Sequence, residues 1–162
     1  MSTVTSKYLG IYLNDHLAGS TGGLELVKRA AGEHEGTPLG AFLAGLKTEI
    51  EADRRELEAI MDQLGVTANP AKQAVAWAGE KAGRLKLNGE LRGTSPLTPF
   101  IELEALSLGI EGKRLMWTGL AAAEPVAREI GPERLVRLIA RAGEQREEVE
   151  RHRAEQARIA LA

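Results

Sequence analysis

Hydrophobic positions recur every three or four residues along four long stretches of this chain, which predicts four amphipathic helices. The first helix is predicted from about Ser6 to Ala31 and the second from Pro38 to about Leu64. The third is predicted from Pro99 to about Ala123, and the fourth from Pro132 nearly to residue 162. β-Branched and aromatic residues nowhere alternate over a useful length, so no strand is predicted. The pattern therefore predicts an all-α chain.

A capping residue followed by proline marks most of the predicted helix starts. The fixed φ and missing N–H of proline suit the first position of a helix, and the preceding residue supplies the cap. This pair occurs at Thr37-Pro38, Asn69-Pro70, Thr98-Pro99 and Gly131-Pro132. The pair at residues 69 and 70 opens a predicted short helix in the segment PAKQAVAWAGEKAGRL, between the second and third long helices.

The lengths of the connections predict the order in which the helices pack. The first two helices are joined by about five residues and the last two by about eight, so each pair is expected to form an antiparallel hairpin. Residues 65–98 contain the short helix and the turn-rich KLNGELRGTSP, and this stretch is long enough to cross the bundle lengthwise. We therefore predict a single helical-bundle domain over residues 1–162, in which the first and fourth helices pack side by side and parallel.

Polar residues interrupt the apolar stripes at one level of this bundle. His16 and Asp53 lie on the stripes of the first and second helices, whereas Arg114 and Arg146 lie beside the stripes of the third and fourth. A rise of about 1.5 Å per residue brings all four to a similar level. Because buried polar groups find partners, we predict a buried cluster of these residues with a hydrogen bond between His16 and Asp53. Two unrelated polar residues and a metal site are the alternatives.

Two helical hairpins joined by a long crossover resemble the ferritin-like superfamily, of which this chain would be a divergent member. Ferritin-like di-iron proteins hold two metal ions between an inward Glu on each of two helices and a Glu-x-x-His on each of the other two. The resemblance implies, as an alternative function, a carboxylate-bridged iron or manganese oxidoreductase or metal-binding protein. Its ligands would come from His16, Glu51, Glu104, Glu111, Glu148 and His152.

The metal-binding motif of the superfamily is incomplete in this chain. The second helix reads Asp53-Arg54-Arg55-Glu56 and has no histidine, while His152 follows Glu148 by four residues where the motif requires three. We therefore expect a degenerate metal site and no cofactor. The leading interpretation is a non-enzymatic bundle without catalytic residues, which acts through an unidentified protein partner or a small ligand.

Composition restricts the classes of partner. The chain has 162 residues, 43% of them hydrophobic, which suits one domain with a substantial core. Lys and Arg number 21 against 23 Asp and Glu, and the formal charge of −2 predicts no nucleic-acid or membrane partner. Cysteine is absent and the start MSTVTSKYLG does not read as a signal peptide, so a cytoplasmic protein is expected, as a homo-oligomer, most simply a dimer.

Small residues in the first helix admit two further interpretations. The segment AGSTG nearly matches the Gly-x-Ser-x-Gly motif of hydrolases, and Asp15, His16 and Ser20 supply the residue types of a catalytic triad. A nucleophile elbow requires a strand before the serine, and the helical spacing here excludes it. We predict instead that Gly19, Ser20 and Gly23 form a small-residue surface that allows close approach of a third-helix surface made by Gly109, Gly112 and Gly119.

Overall fold

The computed structural model describes residues 6–75 and 95–162, which are helical and contain no strand. The long helices are α1 (Lys7–Glu33), α2 (Pro38–Gln63), α3 (Leu97–Ala122) and α5 (Pro132–Ala160), and α4 (Glu124–Ile130) is a short helix between the last two. The all-α prediction is confirmed. Residues 70–75 are helical, as the Asn69-Pro70 pair predicts. The rest of the predicted short helix and most of the turn-rich segment lie outside the described residues.

The helix starts follow the capping signals in part. The hydroxyl of Ser6 accepts a hydrogen bond from the Leu9 N–H at 3.1 Å, and the hydroxyl of Thr37 accepts one from the Gly40 N–H at 3.0 Å. Both bonds satisfy N–H groups that have no partner within their helices. α3 begins at Leu97, two residues before the predicted start, so Thr98 lies inside the helix and does not cap it. α4 replaces the loop predicted around Pro125, because proline fits the first turn of a helix.

α2 ends at a left-handed glycine, and the chain that follows is fastened to α1. Gly65 has a φ of 67°, and the next N–H, from Val66, returns to the Met61 carbonyl at 2.8 Å. The buried side chain of Asn14 donates a hydrogen bond to the Thr67 carbonyl at 3.0 Å and accepts one from the Asn69 N–H at 2.6 Å. One α1 side chain therefore fixes the path by which the chain leaves α2.

Each long helix packs between two antiparallel neighbours. α1 packs along α2 and α3, and α3 packs most extensively against α5. Side chains also link α2 to α5: Phe42 stacks on His152, and Arg134 pairs with Glu56 at 2.8 Å. The helices therefore surround the core in the order α1, α2, α5, α3. The prediction that α1 and α5 pack side by side is wrong: they run parallel on a diagonal, because α2 and α3 occupy the sides of α1.

The connection between α2 and α3 joins opposite ends of the bundle. The Gln63 side chain at the end of α2 donates a hydrogen bond to the Glu129 carbonyl in α4. The start of α3 lies at the other end, where Pro99 packs near His34 and Leu39. The end of α2 and the start of α3 therefore lie at opposite ends of the bundle, and most of the predicted crossover between them lies outside the described residues.

The core extends along the whole bundle, and Trp117 is its largest fully buried side chain, with 1% exposed. The apolar spacing of the fourth helix extends to Ile159 and predicts that it faces inward, but its side chain is 60% exposed. α5 runs antiparallel to α2, and its His152 packs against Phe42, close to the start of α2 at Pro38. Ile159 is further along α5 and therefore lies beyond the start of α2, where α2 cannot cover it. Among the helices of the described residues, none combines the length and apolar composition needed to cross a membrane.

A buried ion pair links α1 to α3 near the end of the bundle where α3 begins. Glu102 is buried, and its Oε1 atom accepts a hydrogen bond from Arg29 at 3.0 Å. The Oε2 atom is also buried and has no hydrogen-bond partner among the described residues. Burial raises the pKa of Glu102 from its ordinary value of 4.5, although the Arg29 guanidinium lowers it in part.

This raised pKa predicts how stability changes with pH. Because the native protein favours the protonated form of Glu102, the contribution of this group to the free energy of unfolding is largest below the ordinary carboxyl pKa. It is lost as the pH rises through the raised pKa. The amide introduced by Glu102→Gln does not titrate, so the free energy of unfolding of this variant minus that of the wild type should increase as the pH rises through this window. Denaturant unfolding of both proteins between about pH 4 and 8 measures the difference. A difference that stays constant, or decreases, would contradict the assignment.

Candidate functional site

A predominantly apolar cavity of about 180 Å³ lies between α1, α2 and α3. It is at the level where polar residues interrupt the apolar stripes. Its apolar lining consists chiefly of Ile50, Leu57, Leu106, Ile110, Met116 and Trp117. Its polar lining consists of Asp15, His16, Ser20, Asp53 and Lys113. A concave apolar site with a few polar groups is the usual form of a small-molecule site.

Glycines make this space. Gly19 and Gly23 of α1 and Gly109 and Gly112 of α3 line the cavity, and a Cβ atom added to any of them would meet nothing within 4 Å. The predicted close approach of these small residues is therefore wrong: they border open space. Gly119 is the exception, because a Cβ there would lie 3.6 Å from the Tyr12 hydroxyl.

A polar layer of Asp53, Lys113, Gln145 and Arg141 forms one end of the cavity and continues toward α5. Asp53 is 4% exposed, and its Oδ2 accepts hydrogen bonds from the Lys113 ammonium and, at 3.0 Å, from the Gln145 amide. Lys113 also donates to the Gln145 side-chain oxygen. Arg141 approaches the other Asp53 oxygen at 3.3 Å. The carboxylate therefore accepts two hydrogen bonds and forms ion pairs with two cations.

Two cations, Lys113 and Arg141, contact the one buried carboxylate of this layer, Asp53. The Glu49 carboxylate also attracts the Lys113 ammonium. Burial lowers the pKa of Lys113 from 10.5, and the attraction of Asp53 opposes this only in part. Solvation lost by the ammonium is thus not fully replaced by its protein partners.

The indole N–H of Trp117 is buried without a partner. The Trp117 side chain is 1% exposed and lines the cavity, and its Nε1 atom is buried without a hydrogen-bond partner among the described residues. A buried indole N–H usually finds an acceptor, because leaving it without one costs about 1 to 3 kcal/mol. The described part of the protein therefore leaves one donor of the core unsatisfied.

His16 reaches the cavity but does not bond to Asp53. Its ring is half-buried and packs edge-on against Tyr12, with 4.7 Å between ring centroids. Burial lowers its pKa from 6.5, and the nearby Asp15 carboxylate raises it in part. The predicted hydrogen bond between His16 and Asp53 is absent from the described residues. Lys113 and Gln145 donate to the Asp53 carboxylate instead, and Arg141 forms an ion pair with its other oxygen.

Arg114 and Arg146 lie outside the polar layer that was predicted to contain them. Arg114 pairs with Glu111 at 2.7 Å on the outer side of α3, and Arg146 approaches the same carboxylate at 3.7 Å. Their side chains are 35% and 46% exposed. Each arginine comes one position after an inward-facing residue of its helix. Successive side chains of a helix are rotated by about 100° around its axis, so both arginines point away from the interior. The inward residues are Lys113 and Gln145.

The six candidate metal ligands do not converge. Glu104 pairs with Arg153, Glu111 with Arg114, and Glu148 with Arg151. His152 stacks on Phe42, His16 borders the cavity, and Glu51 is half-buried on α2. Within residues 6–75 and 95–162, no three acidic or histidine side chains form a group able to hold a metal ion.

The polar layer also does not fit the paired metals of the ferritin-like family. Such a site needs four acids and two imidazoles at one level. At this level Asp53 is surrounded by the cations Lys113 and Arg141, which oppose the binding of a dication. No step of metal chemistry follows from these residues.

Ser20 has a structural role. Its hydroxyl donates to the Leu17 carbonyl at 2.6 Å and accepts from Arg54 at 3.1 Å. Asp15 pairs with Lys72 at 2.6 Å. Neither residue contacts the His16 ring through a hydrogen bond, so the three residue types of a triad are not assembled in the structure.

Comparison of the chain with models of protein families, with curated proteins and with solved structures found no match. The functional assignment therefore depends on the cavity and its glycine walls.

Proposed function

We propose that this chain is a non-enzymatic binding protein that takes a small, predominantly apolar organic molecule into the cavity between α1, α2 and α3. The observation that carries this proposal is the space itself, which apolar side chains of α2 and α3 line and which four helical glycines border without packing against a neighbour. An engineered apolar cavity of about 150 Å³ binds benzene. A space of about 180 Å³ suits one ring with a short substituent.

The energetics of the glycines support a ligand. Glycine inside a helix is less stable than alanine by about 0.5 to 1 kcal/mol, and four such residues line this cavity. Neither packing nor backbone conformation requires glycine there, because an added Cβ meets nothing within 4 Å and the positive-φ glycines of the described residues lie elsewhere. These glycines therefore lower the stability of the helices and leave the cavity open, and a loss of stability is common at binding sites.

We further propose that the chain is a divergent member of the ferritin-like superfamily. Two features support this proposal: neighbouring long helices pack antiparallel, and the end of α2 and the start of α3 lie at opposite ends of the bundle. The level at which the superfamily binds metal carries Asp53, Lys113 and Gln145 here, which favours an organic ligand over a di-metal centre. Under this proposal the bundle is kept and its central site has a different chemistry.

Filling the cavity from its glycine wall tests the binding function. Toluene is a suitable probe, because it matches the expected size and has no polar group. We expect one toluene to bind per chain, and we expect Gly112→Leu to weaken this binding at least about tenfold because the added side chain occupies the space. Calorimetry or ligand-detected NMR measures the affinity, and thermal unfolding shows that the variant folds.

Gly143→Leu is the matched control. Gly143 lies in the α5 helix, a Cβ there also meets nothing within 4 Å, and it does not line the cavity. Both variants gain helix propensity, so a general effect of replacing glycine would appear in both. Absence of toluene binding to the wild type, or equal affinities of the two variants, would rule out the proposed site.

A further inference from the structure

α3 carries a second apolar stripe, outside the face that it buries in the core. At alternating intervals of four and three residues, this outer stripe consists of Ile101, Ala105, Leu108, Gly112, Leu115, Gly119 and Ala122. The spacing is that of the two core positions of a heptad repeat, and it extends along nearly the whole helix. A surface helix of a globular protein normally has one apolar face, so the second face indicates a partner.

The outer stripe is open to solvent. Leu108 is 69% exposed and Leu115 is 54% exposed, and Ala105 and Gly119 are exposed beside them. Apolar surface that is contiguous and exposed is typical of an interaction site, because its burial is favourable. Ala105 and Gly112 also line the cavity, so the outer stripe follows the α3 edge of the cavity.

The order of large and small side chains makes the outer stripe complementary to a second copy of itself. In an antiparallel pair of α3 helices centred on position 110, every large residue from position 101 to 115 lies opposite a small one. The pairs are Ile101 with the partner's Gly119, Leu108 with the partner's Gly112, and Leu115 with the partner's Ala105. Each large side chain thus packs as a knob into a hole. A parallel pair in register would place leucine opposite leucine and glycine opposite glycine, and would leave gaps.

The charges beside the outer stripe also suit a second copy. Glu104 and Glu111 flank it on the side of α5, where Glu104 pairs with Arg153 and Glu111 with Arg114. In the antiparallel register the partner's Arg114 is level with position 106, which lies between the two glutamates. A two-fold axis repeats this arrangement on the other copy. The flank therefore carries both signs and complements itself, which favours a second copy over a strongly acidic or basic partner.

We infer that the outer stripe is the interface of a homodimer, in which the α3 helices of two copies pack antiparallel about a two-fold axis near position 110. The glycines and the alanine of the stripe allow the two helices to approach closely. The dimer covers the α3 edge of the cavity. The inference does not depend on the proposed ligand, because neither Leu108 nor Leu115 lines the cavity.

Sedimentation equilibrium tests the interface. We expect the wild type to form dimers at concentrations of about 10 μM, and we expect Leu108→Glu to weaken the association at least about hundredfold, because it buries a carboxylate opposite the partner's Gly112. The exposure of Leu108 in the single chain means that this change leaves the core intact. Val136→Glu is the matched control: Val136 is 65% exposed on α5, outside the stripe, so the same change there should leave the dimer unaffected.

Introduced cysteines test the antiparallel register. The chain has no cysteine, and Ala105→Cys/Leu115→Cys adds two thiols ten residues apart on one helix. That separation is about 15 Å, which is too far for a disulfide within one chain. We expect oxidation to give a covalent dimer in which position 105 of one copy is joined to position 115 of the other. Trypsin cleaves after Lys113 and Arg114, so mass spectrometry can identify which positions are joined.

The outcomes decide both parts of the inference. A wild type that stays monomeric at about 100 μM would mean that another partner covers the stripe, and would overturn the inference. A dimer that Leu108→Glu leaves intact would overturn it as well, because the contact would then lie on another surface. Disulfides that join 105 to 105 and 115 to 115 would overturn the antiparallel register. Selective loss of the dimer in Leu108→Glu, with a 105-to-115 disulfide, supports both parts.

Discussion

Replacement of Lys113 by methionine is expected to lower the free energy of unfolding by about 3 kcal/mol. The ammonium is the closest cation to Asp53, whose side chain is 4% exposed, and methionine leaves that carboxylate with Arg141 and Gln145 alone. Removing one partner of a buried ion pair costs about 3 to 5 kcal/mol, because the remaining charge stays out of water. Arg141 still approaches the carboxylate, which places the expectation at the lower end.

Replacement of the whole group should cost much less. Burial lowers the pKa of Lys113 despite its contact with Asp53, so the pair does not fully recover the solvation it loses. We therefore expect Asp53→Leu/Lys113→Met/Gln145→Leu to be more stable than Lys113→Met alone, as for buried ion pairs replaced by apolar residues of similar volume. Denaturant unfolding of the wild type, the single variant and the triple variant measures both differences.

Lys72→Met is the control for loss of a lysine ion pair. Lys72 pairs with Asp15 at 2.6 Å, but the two side chains are 38% and 59% exposed. Exposed pairs contribute about 0 to 1 kcal/mol, so this variant should stay close to the wild type. A Lys113→Met variant as stable as Lys72→Met would show that the buried contact between Lys113 and Asp53 does not stabilise the native protein.

The helices could be predicted because their signals are local. Apolar spacing, the Thr37 cap and the left-handed Gly65 act within one or two turns, and α2 accordingly ends within one residue of its predicted end. Thr98 shows the limit of this reasoning. It has the residue type of a cap, but α3 begins before it at Leu97, and boundaries are the least certain part of any sequence-based assignment.

Three of the four residues of the polar layer can be predicted from the sequence, because they interrupt apolar stripes. Asp53 interrupts the stripe of α2. Lys113 interrupts the stripe Leu103, Leu106, Ile110, Trp117 and Leu120 in the same way, at the position between Ile110 and Trp117. Gln145 does so between Ala142 and Val149. Arg114 and Arg146 were predicted to belong to the layer, but the side chain of each is rotated by about 100° from the inward-facing residue before it.

The cavity could not be read from the sequence. Glycines at Gly19, Gly23, Gly109 and Gly112 are compatible with two helices in close contact or with two helices separated by open space. The separation of α1 and α3 depends on their other contacts, including the Arg29–Glu102 pair and the packing of Tyr12 near Gly119. Such contacts join residues distant in sequence, so a local pattern does not encode the distance between the helices.

Lys113 connects the stability of the bundle to the chemistry of its cavity. A layer built from apolar side chains alone would satisfy the packing of α2, α3 and α5 without the solvation cost that lowers the pKa of this lysine. The polar layer instead keeps a cation at one end of the cavity. The stability lost in this layer and the stability lost at the cavity glycines therefore concern the same region of the bundle.

Replacement of Asn14 by leucine is expected to lower the free energy of unfolding by about 2 to 3 kcal/mol. Its buried side chain makes two hydrogen bonds to the chain beyond α2, to the Thr67 carbonyl at 3.0 Å and from the Asn69 N–H at 2.6 Å. Leucine has a similar volume and no polar atoms, so packing is kept while a backbone acceptor and donor lose their partner. Denaturant unfolding measures the loss of stability.

Amide exchange identifies where the Asn14→Leu variant opens. The Asn69 N–H should exchange faster than in the wild type, because its acceptor is removed, while core amides of α2 should change only by the loss of global stability. Thr48→Ala is the control, since the Thr48 hydroxyl bonds only to the Ala44 carbonyl within exposed α2 surface and its loss should change stability by less than about 0.5 kcal/mol. Unchanged exchange at Asn69, with stability equal to that of Thr48→Ala, would mean that Asn14 does not hold the start of the crossover against α1.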